Sequence, residues 1–214
     1  RGLGDVYKRQ AQLLAEKTTT DETVLTSGKS YSNVFHKNGG SASFSVMANT
    51  LRGVYGTDVL IAAANSFTGS VLQADYTKKM AVSMIMPNGL MAYQRTMTGA
   101  ELKETLRAFV EGCEGGFVPF NRGSLPVTSG ITMEVKEAGG SYTLTGITRN
   151  GQPLREDDTL TVTCLATTKQ MTAVFADESR AVTDEGTWVK DAWRDYVSGG
   201  GAALAEPENY MTLR

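Results

Sequence analysis

Two neighbouring segments constrain the fold more than anything else in the chain. Residues 43–55 place Phe44, Met47, Ala48, Leu51 and Val54 on one face of a 3.6-residue period, which predicts an amphipathic helix. Gly56 follows at the position where a left-handed residue closes a helix. The run Asp58-Val59-Leu60-Ile61-Ala62-Ala63-Ala64 comes next and, by its length, reads as a buried strand. A helix that buries one face, two residues away from a strand that buries both, must lie against the sheet holding that strand. The chain is therefore expected to layer helices on a sheet. Polar residues 65–69 just past the strand occupy the usual place of an α/β binding loop, with a plain turn as the equal alternative.

The remaining pattern extends this architecture. Residues 82–86 and 90–97 read as strands interrupted by Pro87-Asn88-Gly89. Thr98-Gly99-Ala100-Glu101 is a capping box opening a helix that carries Leu102, Leu106, Phe109 and Val110 inward until Gly112. The glycine-rich stretch 112–123 has neither a phosphate-binding lysine nor dinucleotide-binding spacing. Residues 131–136 and 142–148 are predicted strands joined by Gly139-Gly140, and Asn150-Gly151 is a two-residue turn signal. Residues 159–165 are expected to continue the same sheet. Trp188, Ala192, Trp193, Tyr196 and Val197 share one face of a late helix, which Gly199-Gly200-Gly201 ends, and residues 210–213 read as a closing strand. Residues 18–26, rich in Thr and Val, form a linker or a first edge strand. The expected fold class is α/β (α+β), a mixed β-sheet with helices packed on it.

Chemistry is limited by what the sequence lacks. Its 214 residues hold one histidine, His36, set among polar residues before Gly39-Gly40 and expected in a solvated loop. Catalytic zinc sites, serine triads and Cys–His pairs need histidine, so most hydrolytic mechanisms are excluded for this chain alone. Cys113 and Cys164 follow no metal or redox spacing and are expected to be buried thiols, with pairing the alternative if the fold brings them together. Twenty-one Lys and Arg against 23 Asp and Glu leave no basic footprint for a nucleic-acid polymer. No stretch approaches the roughly 18 apolar residues of a membrane span. Residues 1–10 read as a non-native, adapter-like segment, with residues 11–40 a linker or edge strand and residues 41–214 the domain.

Several pieces, in order, resemble the C-terminal domain of the 5′-nucleotidase family, which includes UDP-sugar hydrolases and 2′,3′-cyclic phosphodiesterases. Ser45-Val46-Met47-Ala48-Asn49-Thr50-Leu51-Arg52 is similar to the family's "NLIADALR" helix, followed by Asp58-Val59-Leu60-Ile61 as its strand. Pro87-Asn88 resembles its "PF-N" turn, and residues 97–106 resemble "LTGAELKEVLE" most closely. Thr128-Ser129-Gly130-Ile131, Asn150-Gly151-Gln152-Pro153-Leu154, and the ending from Trp188 to Leu213 complete the series.

The resemblance implies a domain that recognises a nucleotide or nucleoside by sandwiching its base between two aromatic rings. A separate upstream metallophosphatase domain of the same polypeptide, with two divalent metal ions, would perform hydrolysis. It also implies a bacterial, extracytoplasmic protein (secreted, periplasmic or at the cell surface) acting in nucleotide catabolism. No cofactor is expected in this chain. The ligand loops depart from the family: "NGGGIR" reads Ala63-Ala64-Asn65-Ser66-Phe67-Thr68 here, with Thr68 in place of the arginine. "NDFLANGGDGF" has lost its glycines and aspartate, but Phe175 falls on the stacking aromatic. Phe117 and Phe120 are expected to supply the other ring, with Asn121, Asn65 or Asp177 bonding the base or ribose edge. The alternative is a non-catalytic binding or interaction domain that no longer holds a nucleotide.

Overall fold

The computed structural model describes residues 22–86, 89–111, 125–166, 187–200 and 202–214. The expected adapter-like segment 1–10 and the expected turn at Pro87-Asn88 lie outside the described residues. Strand β1 (Thr23–Ser27) pairs antiparallel with β5 (Ala74–Thr77), as an edge strand, and β2 (Phe35–His36) pairs with β3 (Gly40–Ser41). His36 is exposed. Helix α1 (Ala42–Tyr55) follows at once, capped by the Ser41 hydroxyl and closed by Gly56 at φ 64°. Strand β4 (Val59–Ala62) is buried throughout. The expected strand over residues 82–86 is not formed. A short helix α2 (Lys78–Val82) runs into that segment, where Ile85 makes only an isolated bridge to Phe67. Thr77 accepts a hydrogen bond from the Met80 amide, so a cap won over the apolar alternation.

Strand β6 (Met91–Thr98) leads directly into α3 (Gly99–Glu111). The capping box forms as expected: the Thr98 amide donates to Glu101 Oε2 at 2.8 Å, and the Glu101 amide donates to Thr98 Oγ1 at 3.2 Å. Leu102, Leu106, Phe109 and Val110 are buried beneath it. Gly99 is required here, because a Cβ would collide with the Arg155 carbonyl oxygen.

The other strands are β7 (Val127–Ser129), β8 (Thr132–Ala138), β9 (Ser141–Arg149), β10 (Gln152–Pro153), β11 (Thr159–Ala166), β12 (Thr187–Trp188) and β13 (Met211–Leu213), with helix α4 (Val189–Ser198). They do not make one sheet. Five strands order as β12-β6-β11-β4-β7, and four as β10-β9-β8-β13. Each sheet is mixed, since β11 runs parallel to β4 and β13 parallel to β8. Gly130 stands between the two sheets. At φ +83° it turns the chain from β7 in one sheet to β8 in the other. Asn150, at φ 52°, and Gly151, at φ 74°, form the predicted hairpin turn.

In α4, Val189, Trp193 and Val197 are buried, and Trp193 Nε1 donates to the Ala81 carbonyl at 2.7 Å. Trp188 is half exposed instead of joining this face, because it sits before the helix in edge strand β12.

The burial of α1 also differs from the amphipathic reading. Ser45, Asn49 and Thr50 are buried on the face opposite the sheet. Ser45 Oγ donates to the Glu208 carbonyl and accepts from the Glu208 amide, each at 2.8 Å. Asn49 Nδ2 donates to the Glu206 carbonyl at 2.8 Å, and Thr50 Oγ1 accepts from the Ala205 amide at 2.9 Å. These side chains give the extended segment before β13 the backbone partners that a strand would otherwise supply.

Candidate functional site

The register of the five-stranded sheet defines two ends. At one, Ala62 of β4 pairs with Val127 of β7 and Leu165 of β11, while Ala166 pairs with Met91 and Trp188 pairs with Met91 across β6. The chain leaves or enters the sheet there through residues 63–73, 83–90, 112–126 and 167–186.

The first of these connections is well tied. Residues Ala64–Ser66 make one 3₁₀ turn. The Thr68 amide donates to the Met84 carbonyl at 3.1 Å, and the Met86 amide to the Ser66 carbonyl at 2.9 Å. Phe67 is buried, with its ring centroid 6.0 Å from that of Phe44. Ser43 Oγ donates to the Gly69 carbonyl at 2.8 Å. The Thr68 hydroxyl, standing where the resembling family offers an arginine, donates to the Ser83 carbonyl at 2.9 Å. Ser66 Oγ is buried with no hydrogen-bond partner among the described residues. The turn is thus anchored to residues 83–86 after α2 and to Ser43 of α1, and it carries no cation.

Of the residues expected to touch a ligand, Asn65 lies in this 3₁₀ turn. Phe117, Phe120, Asn121, Phe175 and Asp177 lie outside the described residues, as does Cys113. Cys164 is free and buried in β11, and desolvation pushes its thiol up to about 12. Among the described residues, no group of three or more His, Cys, Asp or Glu could hold a metal ion. None of their helices is long and apolar enough to cross a membrane.

The opposite end of the sheet holds a cluster that sequence reasoning did not single out. Asp58 precedes β4 and accepts from the Thr161 amide at 2.9 Å and the Thr161 hydroxyl at 2.8 Å. Its other oxygen takes Arg149 Nη2 at 2.7 Å. The Thr161 amide first, then the Thr161 hydroxyl and Arg149, hold its carboxyl below the usual carboxylate range. Arg52, in the last turn of α1, donates through Nε to Ser129 Oγ at 2.7 Å. Arg52 stood within a recognised helix pattern, but nothing in that pattern told its role.

No protein-family model matches the chain, and no curated protein matches it in sequence. Solved structures match in fold. The 5′-nucleotidase precursor of Thermus thermophilus superposes with a TM-score of 0.62 at 13% identity, over 98% of this chain and 43% of its own. The NAD nucleotidase NadN of Haemophilus influenzae gives 0.67 at 17%, over 99% and 42%. This chain has the fold of a 5′-nucleotidase C-terminal domain. A third match, the Thermus thermophilus sulfate thiohydrolase SoxB, gives 0.63 at 14%, over 98% and 38%. The chain therefore spans about two fifths of each of these proteins.

Proposed function

We propose that this chain is the nucleotide- or nucleoside-recognition domain of a secreted, metal-dependent 5′-nucleotidase-like hydrolase. Its catalytic metallophosphatase domain, with the divalent metals, precedes it in the polypeptide. The observation that carries this reading is the convergence of strand ends. β4 ends, β7 begins and β11 ends side by side at one end of one sheet, beside the turn holding Asn65. The chain after 112–124 enters β7 there, and the chain before 167–186 leaves β11 there. Loops at the ends of a rigid sheet are the usual carriers of ligand contacts. In this reading Phe175 stacks on one face of the base and Phe117 or Phe120 on the other, while Asn65, Asn121 or Asp177 bonds its edge.

One observation favours a second reading, a binding domain for some other ligand. A protein named as a sulfate thiohydrolase shares the fold as closely as one named as a nucleotidase. Thr68, moreover, spends its hydroxyl on a backbone carbonyl instead of offering charge to a phosphate.

Calorimetric titration of adenosine, uridine and their monophosphates separates the two. Saturable binding is expected, weakened roughly 5- to 150-fold by Phe175→Ala, since one base–aromatic stack is worth about 1–3 kcal/mol. Undiminished binding in a folded Phe175→Ala variant removes that ring from the site. No binding of any of the four removes the nucleotide.

A further inference from the structure

The seam between the two sheets holds a cavity, at the far end of the five-stranded sheet from the loops above. It measures about 300 Å³ and is walled by Arg52, Asp58, Thr148, Arg149, Asn150 and Asn209, with Gly130 and Glu208 at its margin. The seam shapes it. A Cβ on Gly130 would strike the Asp58 carbonyl oxygen, so only glycine lets β7 turn this closely past the start of β4.

Two guanidinium groups face this space, with side chains about one third exposed. Each carries five N–H donors. Arg149 commits Nη2 to Asp58 at 2.7 Å, and Arg52 commits Nε to Ser129 at 2.7 Å. Asp58 accepts three hydrogen bonds from Thr161 and Arg149, so its charge is engaged chiefly with Arg149 and Thr161. The nearest counter-charge to Arg52 is Glu208, at 3.9 Å with more than half its side chain exposed. At that separation it is a loose ion pair, which contributes little and is readily displaced. The remaining donors of both forks, with the amides of Asn150 and Asn209, make the cavity rich in N–H groups.

The geometry points to a binding site for a small oxyanion, a carboxylate or phosphate borne on a molecule of about ten heavy atoms. Its anionic group displaces Glu208 and takes the Nη donors of Arg52 in a fork. The volume lies at the lower limit of ligand pockets, and a water-sized group needs about 30 Å³. Planar recognition of two oxygens is what arginine does and lysine does not. The site is independent of the proposed nucleotide reading, because it rests on residues at the other end of the sheet.

The test uses the whole chain, titrated with inorganic phosphate and with citrate at constant low ionic strength while amide shifts are followed by NMR. Saturable shifts are expected at Gly130, Thr132, Asn150, Gly151 and Asn209. Arg52→Lys, in a variant shown to be folded, should weaken binding tenfold or more. Glu208→Gln should tighten it several-fold, an effect that a purely structural ion pair cannot produce. Citrate binding without phosphate binding assigns the site to carboxylates, and the reverse to phosphates. Shifts that do not saturate for either ion, or that ignore both variants, overturn the proposal. Adenosine in a parallel titration should leave these five amides unmoved, so failure here and failure of the nucleotide reading are read from different residues.

Discussion

At the Asp58 end of the five-stranded sheet, α1 reaches β4 through Gly56-Thr57-Asp58 and β7 reaches β8 through Gly130-Ile131, while β6 enters α3 with no residue between. At the Ala62 end the same strands are joined through residues 63–73, 83–90, 112–126 and 167–186. The short connections are fixed by side chains bonded to backbone: Thr98 with Glu101, Asp58 with Thr161. The long ones carry the aromatic and amide residues that the sequence assigns to a ligand. In the proposed reading the long connections carry nucleotide recognition while the short ones hold the scaffold, the arrangement expected when a rigid framework presents variable loops.

This division is broken most directly by removing packing beneath α3. Leu102 and Leu106 are fully buried, so Leu→Ala at either position should cost roughly 2–5 kcal/mol in chemical denaturation. The cost should appear with little change in adenosine affinity once the variant is folded. A smaller effect is expected from Thr98→Ala, about 0.5–2 kcal/mol through loss of the cap. If the midpoints of all three variants stay at the wild-type value, the short-connection end does not carry the stability.

The smallest effect sharpens the comparison through pH. The folded state holds the Asp58 carboxyl below its ordinary value of 3.8, so its stabilisation is complete above that value. It is lost as the pH falls through the lower, folded-state value. Asp58→Asn should therefore cost about 1 kcal/mol near neutrality, where the exposed ion pair is screened. The variant should also lose stability less steeply than wild type in acid. Equal slopes in the two proteins would show that Asp58 carries no such linkage.

What the sequence revealed follows the same division. Helix α3 was legible because its cap and its stripe of Leu and Phe lie within one local stretch. The Asn150-Gly151 hairpin and the Gly56 closure were legible for the same reason: each needs φ > 0 at a named residue. Errors arose where distant chain decides the outcome. Ser45, Asn49 and Thr50 lie outside the apolar stripe read from the sequence, yet residues 205–208 cover them. Residues 82–86 alternate like a strand, but Thr77 caps a helix into them. The split into two sheets depends on one glycine passing the Asp58 carbonyl, a contact no spacing encodes. Of the residues expected to touch a ligand at the loop end, only Asn65 belongs to the described residues. The ring positions there rest on alignment to a family pattern. Arg52, Asp58 and Arg149 went unassigned because Arg149 comes from a hairpin about ninety residues further along the chain.

The central claim, that recognition sits at the Ala62 end, is tested most directly by mapping amide shifts during titration with adenosine, which has no phosphate to engage the arginines. The account predicts saturable shifts at Ala63, Ser66, Met91, Leu125, Val127 and Ala166, with Asp58, Gly130 and Asn150 unmoved. Shifts confined to Asp58, Gly130 and Asn150, or none that saturate, would contradict it.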